Sequence, residues 1–361
     1  MWDCPTSMRA GMKLVGVALV AGLATIGGFG AGYALAPRSA SAGPAGAANT
    51  LSISAAGTLG TLFPEVAGAL ANETPGIHVP SSAQQYQGSL AAIQAVRNGA
   101  NQYDLVASAD YRLIPSLLEP TGASWEAAFA TTPEVLAYDP SVSALSGLNT
   151  SNWPGKIVAS GVTLGVANAS TDPNGYNAIF VLELQGLLDA GDPNALYGHF
   201  FTTPPGQFAL PDPTYTKVEP ETQAATLLGQ HQISTFLIYR SYAIQHHLSY
   251  VTLDPRVGLG GLNASDVAFD ARVSTEILAS TGGDVRVTGA PVVFAVSVPT
   301  SAPNASLGEA FIHLLLSPQG EALLTQGGFD AIFPGWTDRP SAVPGLLAPD
   351  LVPMPSGLPI G

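Results

Sequence analysis

LSISAAGTLGTLFPEVAGALANE, residues 51–73, decides the fold class. It opens on a short β-like run that ends at Gly57, and TLFPEVAGALANE then carries apolar residues at helical spacing. The order repeats downstream. IHVPSSAQQYQGS is extended and then turns, and LAAIQAVRNG is a helix stopped by glycine. YDLVASAD is a buried-type strand, followed by RLIPSLLEP as a short helix. Strand, loop and helix in succession are the rhythm of a parallel α/β unit.

A second unit begins near TPEVLAYDPS and runs through KIVASGVTLGVANA. The segment YNAIFVLELQGLLDA predicts a helix with Ile179, Leu182, Leu184, Leu187 and Leu188 on or near one face. Residues 202–220 are proline-rich and irregular. PETQAATLLGQHQ predicts another helix, STFLIYRSYAIQHH a strand entering a helix, and LSYVTLD a closing strand. The apolar strand APVVFAVSVPT (290–300) and one helix across LGEAFIHLLLSPQGEALLTQGG resemble the first unit, so the chain crosses back. The expected layout is a first lobe at 51–130 and 289–361, ending in an irregular surface tail from Trp336. A second lobe at 131–288 is inserted in it, and the cleft between two such α/β lobes is a natural ligand site.

Composition narrows the function. The 361 residues carry 12 Lys plus Arg against 26 Asp plus Glu, a net charge of −14, which argues against nucleic acid as a partner. A hydrophobic fraction of 46% argues against global disorder. The sparse ionised surface would suit an acidic exterior. Cys4 is the single cysteine, so no intrachain disulfide or cysteine-rich metal site can form. His246 and His247 are adjacent, and on a helix they would point about 100° apart, which disfavours joint ligation.

Arg9 and Lys13 precede an uncharged run from Leu14 to Pro37, and the small-residue tract SASAGPAGAANT follows Arg38. The run at 1–37 fits either a retained membrane span or an export signal cleaved near Ala40-Ser41-Ala42. Residues 38–50 then form a linker. Either reading puts the body on the outer side of the cytoplasmic membrane.

Four loops, AAGTL, QGSLAA, VASADY and STDPNGY, stand at predicted strand ends or helix starts, where α/β sheets hold ligands. Backbone N–H groups at a helix start bind an oxyanion without lysine. Gly57-Thr58 and Gly88-Ser89 offer backbone access plus a hydroxyl; each also fits a simple cap. Asp110 reads as a cleft residue or as a cap for the RLIPSLL helix, and Tyr239 as a hydroxyl donor or core filling. Glu221, directly after Pro220, also suits the first turn of a helix on electrostatic grounds alone.

Taken together, AAGTL, ASADYRLIPSLL, EVLAYDPS, DPNGY and YRSYAIQHHLSYV resemble the archaeal tungstate/molybdate-binding proteins of ABC uptake systems, over about residues 50–335. The resemblance implies a type II periplasmic-binding-protein fold with the oxyanion held between two lobes. It also implies an ABC permease in the membrane as partner, no cofactor, and a monomeric body. The implied ligand set is Gly57, Thr58 (where serine is more usual), Ser89, Asp172, Pro173, Asn174 (in place of a frequent cysteine), Glu221 and Tyr239. Glu219 lies close by, but Glu221 follows the proline that opens the helix.

In that family the carboxylates matching Asp172 and Glu221 approach the metal of the anion and complete six-coordination. Tungsten(VI) and molybdenum(VI) are large d⁰ centres that accept two further oxygens, whereas sulfur and phosphorus do not. Two ionised acids would therefore repel sulfate and phosphate. The open alternative is a receptor for another oxyanion or a small organic acid on the same fold. An enzyme is disfavoured, because the sequence has no G-x-S-x-G, H-E-x-x-H or Walker motif. A purely structural surface protein would leave the ordered cleft motifs unexplained.

Overall fold

The computed structural model describes residues 49–99, 102–278 and 283–359. The apolar run Leu14–Pro37, with its span or signal reading, and Cys4 lie outside these residues. No helix among the described residues is long and apolar enough to cross a membrane.

The first half of the chain follows the expected rhythm: β1 (Ile53–Ala56), α1 (Leu62–Glu73), β2 (Gln84–Gln87), α2 (Ser89–Arg97), β3 (Leu105–Ser108), α3 (Leu113–Leu117) and β4 (Ala127–Thr131). Two residues, Thr132 and Pro133, then carry the chain into β5 (Glu134–Tyr138) of a different sheet. There follow α4 (Trp153–Ile157), β6 (Leu164–Val166), α5 (Pro173–Ala190), α6 (Asn194–Tyr197), β7 (Thr216–Val218) and α7 (Ala224–Gly229). The same half closes with β8 (Thr235–Tyr239), α8 (Arg240–Gln245) and β9 (Tyr250–Thr252). Helix α9 (Ala264–Asp270) and the hairpin β10 (Ser274–Leu278) and β11 (Asp284–Thr288) lead back to β12 (Val293–Ser297). Helices α10 (Ala305–Leu315) and α11 (Pro318–Gln326) and strands β13 (Asp330–Thr337) and β14 (Leu351–Pro353) end the fold.

Two larger sheets result. One has seven strands in the order β14-β13-β4-β12-β3-β1-β2, the other five in the order β7-β6-β8-β5-β9. In the first, β1 pairs in parallel with β2 and β3, and β12 runs antiparallel to β3 and β4. In the second, β6 is parallel to β7 and β8, and β5 is antiparallel to β8 and β9. Strand β12, all five residues buried, has the unbroken apolar run of a central strand covered on both faces. Its Phe294 ring meets Phe129, Phe329 and Tyr239, so the core of the seven-stranded half reaches a residue of the five-stranded one.

Among the described residues helix α5 is the longest, and it passes through the interior. Asp172 caps its start by accepting the Asn174 N–H at 3.0 Å, Pro173 sits in the first turn, and Gly191 ends it at φ 70°. The one-faced reading of this helix fails. Every residue from Pro173 to Gly186 is buried, whereas Leu187 and Leu188 are only half-buried. Buried polar Asn177, Glu183 and Gln185 interrupt the apolar period, so the pattern understates the burial.

Two other expectations change. The single helix expected across residues 307–328 is two, because Pro318 has no N–H to continue α10. Instead Ser317 caps a new helix by accepting the Gly320 N–H at 3.2 Å. Nor is the tail a loose wrap: β14 adds to the sheet in parallel with β13, Leu347, Leu351 and Leu358 are buried, and the Tyr111 hydroxyl donates to the Pro359 carbonyl at 2.6 Å.

Several buried acids hold their protons more tightly than carboxyl groups in water. Burial pushes Glu183 up to about 8, against the backbone N–H groups of Gly206 and Ser274. Asp270 rises to about 7 through burial and then the nearby Asp266 charge. Glu119 also rises to about 7, through burial and Asp338, despite an Arg339 contact at 2.6 Å. Burial, followed by Asp338, Glu119 and Asp110, carries Glu126 well above the usual range. In the unfolded chain these acids titrate near 4. The folded state therefore binds extra protons, and the stability they contribute is full below about pH 4 and lost as pH rises through about 7 to 8. Asp254, held below its usual range by hydrogen bonds from Arg256, acts oppositely and loses its contribution only in strong acid. Thermal melting across pH is expected to show the highest midpoint between about pH 4 and 6 and a steady fall toward about pH 8.5, with Glu183→Gln flattening that fall. A midpoint that rises with pH in this window would contradict the assignment.

Candidate functional site

All eight residues marked in the sequence are buried, and they converge where the C-terminal ends of β1 and β3 face the start of α5 and the segment before α7. From the seven-stranded half, Gly57 and Thr58 follow β1. Thr58 donates its backbone N–H to Glu221 Oε1 at 2.9 Å, and its hydroxyl donates to Oε1 and Oε2 at 3.1 and 3.2 Å. Glu221 stands in a short 3₁₀ turn after Pro220, as its expected helix-start position implies.

Ser89 opens α2, and its Oγ accepts the Ala109 N–H at 2.9 Å, which ties the QGSLAA loop to the VASADY loop. Gly88, just before it, abuts the five-stranded half so closely that a Cβ would press into the Thr171 carbonyl and lie 3.1 Å from Asp172 Cβ. At Gly57 a Cβ would come within 2.5 Å of Glu221 Oε1. Both glycines therefore permit close approach between the halves.

On the opposite side, Asn174 turns its amide onto Glu134, with Nδ2 donating to Oε1 at 3.1 Å and Oε2 at 3.3 Å. Tyr239, at the end of β8, accepts Asn177 Nδ2 on its hydroxyl at 3.2 Å and faces Glu134 in strand register. The electrostatics are acidic throughout. Burial raises Asp172 to about 7, opposed by the Asn174 N–H. Glu221 goes well above the usual range through burial and then the Asp172 charge, and Glu134 through burial with Asp172 adding to it. Burial also drives the Tyr239 hydroxyl up, so it stays a neutral donor.

Glu134 and Asn177 bond directly to candidate-site residues and Tyr176 bonds to the neighbouring Asp110, and none of the three was singled out in the sequence. Glu134 carried a signal: a carboxylate inside the buried-type run TPEVLAY needs a partner. The other two sit on α5, one turn beyond Asp172, where only the folded helix reveals which way they face. Asp110 does not cap the RLIPSLL helix, since Arg112 stands at the cap position of α3 without a side-chain capping bond; instead Asp110 accepts the Arg112 N–H two residues on and the Tyr176 hydroxyl from α5.

Ser141 and Asp139 approach His231, but both meet Nδ1, at 3.2 and 2.6 Å, whereas a nucleophile–base–acid relay uses opposite ring nitrogens. Among the described residues no group of three or more His, Cys, Asp or Glu is arranged to hold a metal ion. His246 and His247 follow α8, with the His246 ring tilted 35° against that of Tyr242 at 4.1 Å between centroids.

Residues 51–330 match the model of the bacterial extracellular solute-binding proteins, and the chain belongs to that family. It is a solute-binding receptor of the kind that serves ABC transporters, not an enzyme, and the family works on the periplasmic or extracellular side. The chain is 28% identical over 264 residues to an uncharacterized solute-binding protein of Petrotoga mobilis, covering 73% of this chain and 78% of that one. It is also 28% identical over 276 residues to the molybdate/tungstate-binding protein WtpA of Pyrococcus abyssi, covering 72% and 78%. In structure it resembles the periplasmic molybdate-binding protein of Azotobacter vinelandii, with TM-score 0.52, 17% identity, and 78% and 98% of the two chains covered. It likewise resembles the sulfate-binding protein SubI of Mycobacterium tuberculosis, with TM-score 0.55, 12% identity, and 84% and 90% covered. These likenesses establish a periplasmic-binding-protein-like α/β fold.

The two glycines should respond differently to alanine. At Gly88 the obstacle is backbone, so Gly88→Ala is expected to separate the α2 start from Thr171 by at least about 1 Å in a crystal structure. Gly57→Ala meets side-chain atoms only, Glu221 Oε1 at 2.5 Å and Thr222 Cγ2 at 2.8 Å, and is expected to displace those two side chains with less movement of the backbone. Unchanged backbone spacing in Gly88→Ala would show that this contact does not constrain the halves.

Proposed function

We propose that the chain is the extracellular receptor of a tungstate/molybdate uptake system, delivering the anion to an ABC permease. Its lobes would correspond to the two sheets, and the ligand would lie between Gly57, Thr58 and Ser89 on one side and Asp172, Pro173, Asn174, Glu221 and Tyr239 on the other. The observation that carries this reading is a pair of buried carboxylates at the meeting of the halves: Glu221 accepts the backbone N–H and hydroxyl of Thr58 from the facing half, and Asp172 lies against Gly88 of that half while accepting the Asn174 N–H of its own helix. Relatives named as molybdate/tungstate-binding support it.

The chemistry follows from the donor set. Thr58, Ser89 and the backbone at the starts of α2 and α5 supply donors for the four anion oxygens. Asp172 and Glu221 supply two further oxygens to the Lewis-acidic metal, which becomes six-coordinate. Neither carboxylate has a lysine or arginine beside it, so a d⁰ cation between them is the charge that would make their joint burial favourable. Asn174 and Tyr239 orient the acid side of the site through Glu134 and Asn177.

One observation favours a second reading. Burial raises Asp172 and Glu221, and a protonated carboxyl group is a hydrogen-bond donor that no longer repels an ordinary oxyanion. A receptor for sulfate or phosphate would use the acids in that form.

Isothermal titration of the full chain in detergent with tungstate, molybdate, sulfate and phosphate separates the two. Binding of tungstate and molybdate alone, one to one, is expected, with Asp172→Ala weakening tungstate by more than about tenfold. Tight sulfate or phosphate binding would replace the first reading with the second, and unchanged tungstate affinity in Asp172→Ala would remove metal coordination from the account.

A further inference from the structure

Asp110, Tyr111 and Arg112 follow β3 in the seven-stranded half and make contacts that ligand binding leaves unexplained. Asp110 Oδ1 accepts Arg112 N and Nε, each at 2.9 Å, while Oδ2 accepts Arg112 Nη2 and the Tyr176 hydroxyl, each at 2.7 Å. Arg112 Nη1 donates to the carbonyl of Thr288, the last residue of β11, at 2.9 Å. The pair is largely buried, with side-chain exposures of 7% for Asp110 and 15% for Arg112.

Tyr176 lies on α5, four residues after Asp172 and so on the same side of the helix. The Asp110 loop is tied in turn to Ser89 through the Ala109 N–H. A chain of two hydrogen bonds and two stretches of backbone thus runs from Ser89 to Ala109, along the backbone to Asp110, across to Tyr176, and one helical turn back to Asp172. Each end is a residue of the candidate site, and within this chain of contacts the step that crosses between the sheets is the Tyr176–Asp110 hydrogen bond, beside the separate Thr58–Glu221 crossing. Its acceptor is ionised: burial works to raise the Asp110 carboxyl, but the charge and hydrogen bonds of Arg112 and the bond from Tyr176 hold it below the usual range. Hydrogen bonds to charged acceptors are roughly twice as strong as neutral ones.

We propose that the Tyr176 hydroxyl and Asp110 form a latch that holds the two halves together beside the site and so sets how long a ligand stays. Tyr176 is a positioning residue: it acts through Asp110 and α5, not by touching the ligand. The proposal deepens the receptor reading and, for its ligand arm, rests on it.

Two measurements on the full-length chain test it. Tyr176→Phe keeps the ring packed against Phe180, at 5.8 Å between centroids, and removes only the hydroxyl. Hydrogen exchange with no anion added follows the Thr58 amide, which donates across the halves, alongside the amides of β12, which lie inside one sheet. Exchange at Thr58 is expected to quicken about tenfold or more, with β12 unchanged. Unchanged exchange at Thr58 would overturn the latch, and equal acceleration at β12 would reduce it to general destabilisation and overturn it equally. Asp110→Asn, which keeps an acceptor oxygen but loses the charge, is expected to fall between wild type and Tyr176→Phe; if it matches wild type, the ionised acceptor has no part. Stopped-flow binding of tungstate should show a dissociation rate about tenfold faster in Tyr176→Phe, with the association rate within about threefold. Failure of the wild type to bind tungstate would count against the uptake reading alone, because the exchange result judges the latch without any ligand.

Discussion

The close meeting of Glu221 with Thr58 governs the rest of the structure. A carboxylate from the five-stranded half takes both the N–H and the hydroxyl offered at the end of β1, in a space where Gly57 has no room for a side chain. Such an approach requires a bare backbone at the strand end, a second bare backbone at Gly88, and a helix start aimed at both. Asp172 supplies that start, and its capping bond to Asn174, a contact of a type that contributes about 1 kcal/mol, also fixes where its carboxyl group stands. Capping and ligation are therefore compatible uses of one side chain.

The site gathers acid, not base, and this shapes what it can accept. Glu134, Asp172 and Glu221 lie in one buried region with neutral amide and hydroxyl partners and no guanidinium or ammonium group bonded to them. The cations that lie near the halves' junction are engaged elsewhere. Arg112 is held by Asp110, and Arg240 bonds the Gly328 carbonyl at 3.0 Å and Asp330 at 2.9 Å. Selectivity by acid is a sound strategy only if the ligand brings a positive centre, or if the acids keep their protons. The same choice between charge and proton recurs at Glu119, Glu126, Glu183 and Asp270, whereas Asp110, Asp139 and Asp254, each with a basic partner, are held below the usual carboxylate range.

Much of the architecture was legible because its signals are local. Strand runs such as LSISAAG and VVFAVS, glycine stops and the Asp172-Pro173 helix start each specify their own element. The eight candidate residues came from the family resemblance, and the structure shows each at a strand end or a helix start. What escaped was set by distance. Glu134 gains meaning only when β5 lies beside β8 and Asn174 comes to face it. Tyr176 gains meaning only when α5 is buried against the Asp110 loop. The all-round burial of α5 was hidden because its polar residues find partners inside the protein, and the ordered tail was hidden because prolines there disguise a strand that pairs through the partner's other edge.

That tail has a consequence for how the molecule behaves in concentrated solution. Strand β14 is the outermost strand of the seven-stranded sheet, and its last residue is Pro353, with Pro355 two positions on. Proline offers no N–H to a neighbouring chain, so a rim that would otherwise template intermolecular pairing is blunted. A protein with a net charge of −14 normally relies on mutual repulsion to stay dispersed, and in acid that repulsion fades as surface carboxylates take up protons. The proline rim does not titrate. It keeps this edge unattractive to other copies under the same acidic conditions in which the buried carboxyl groups hold the fold most firmly.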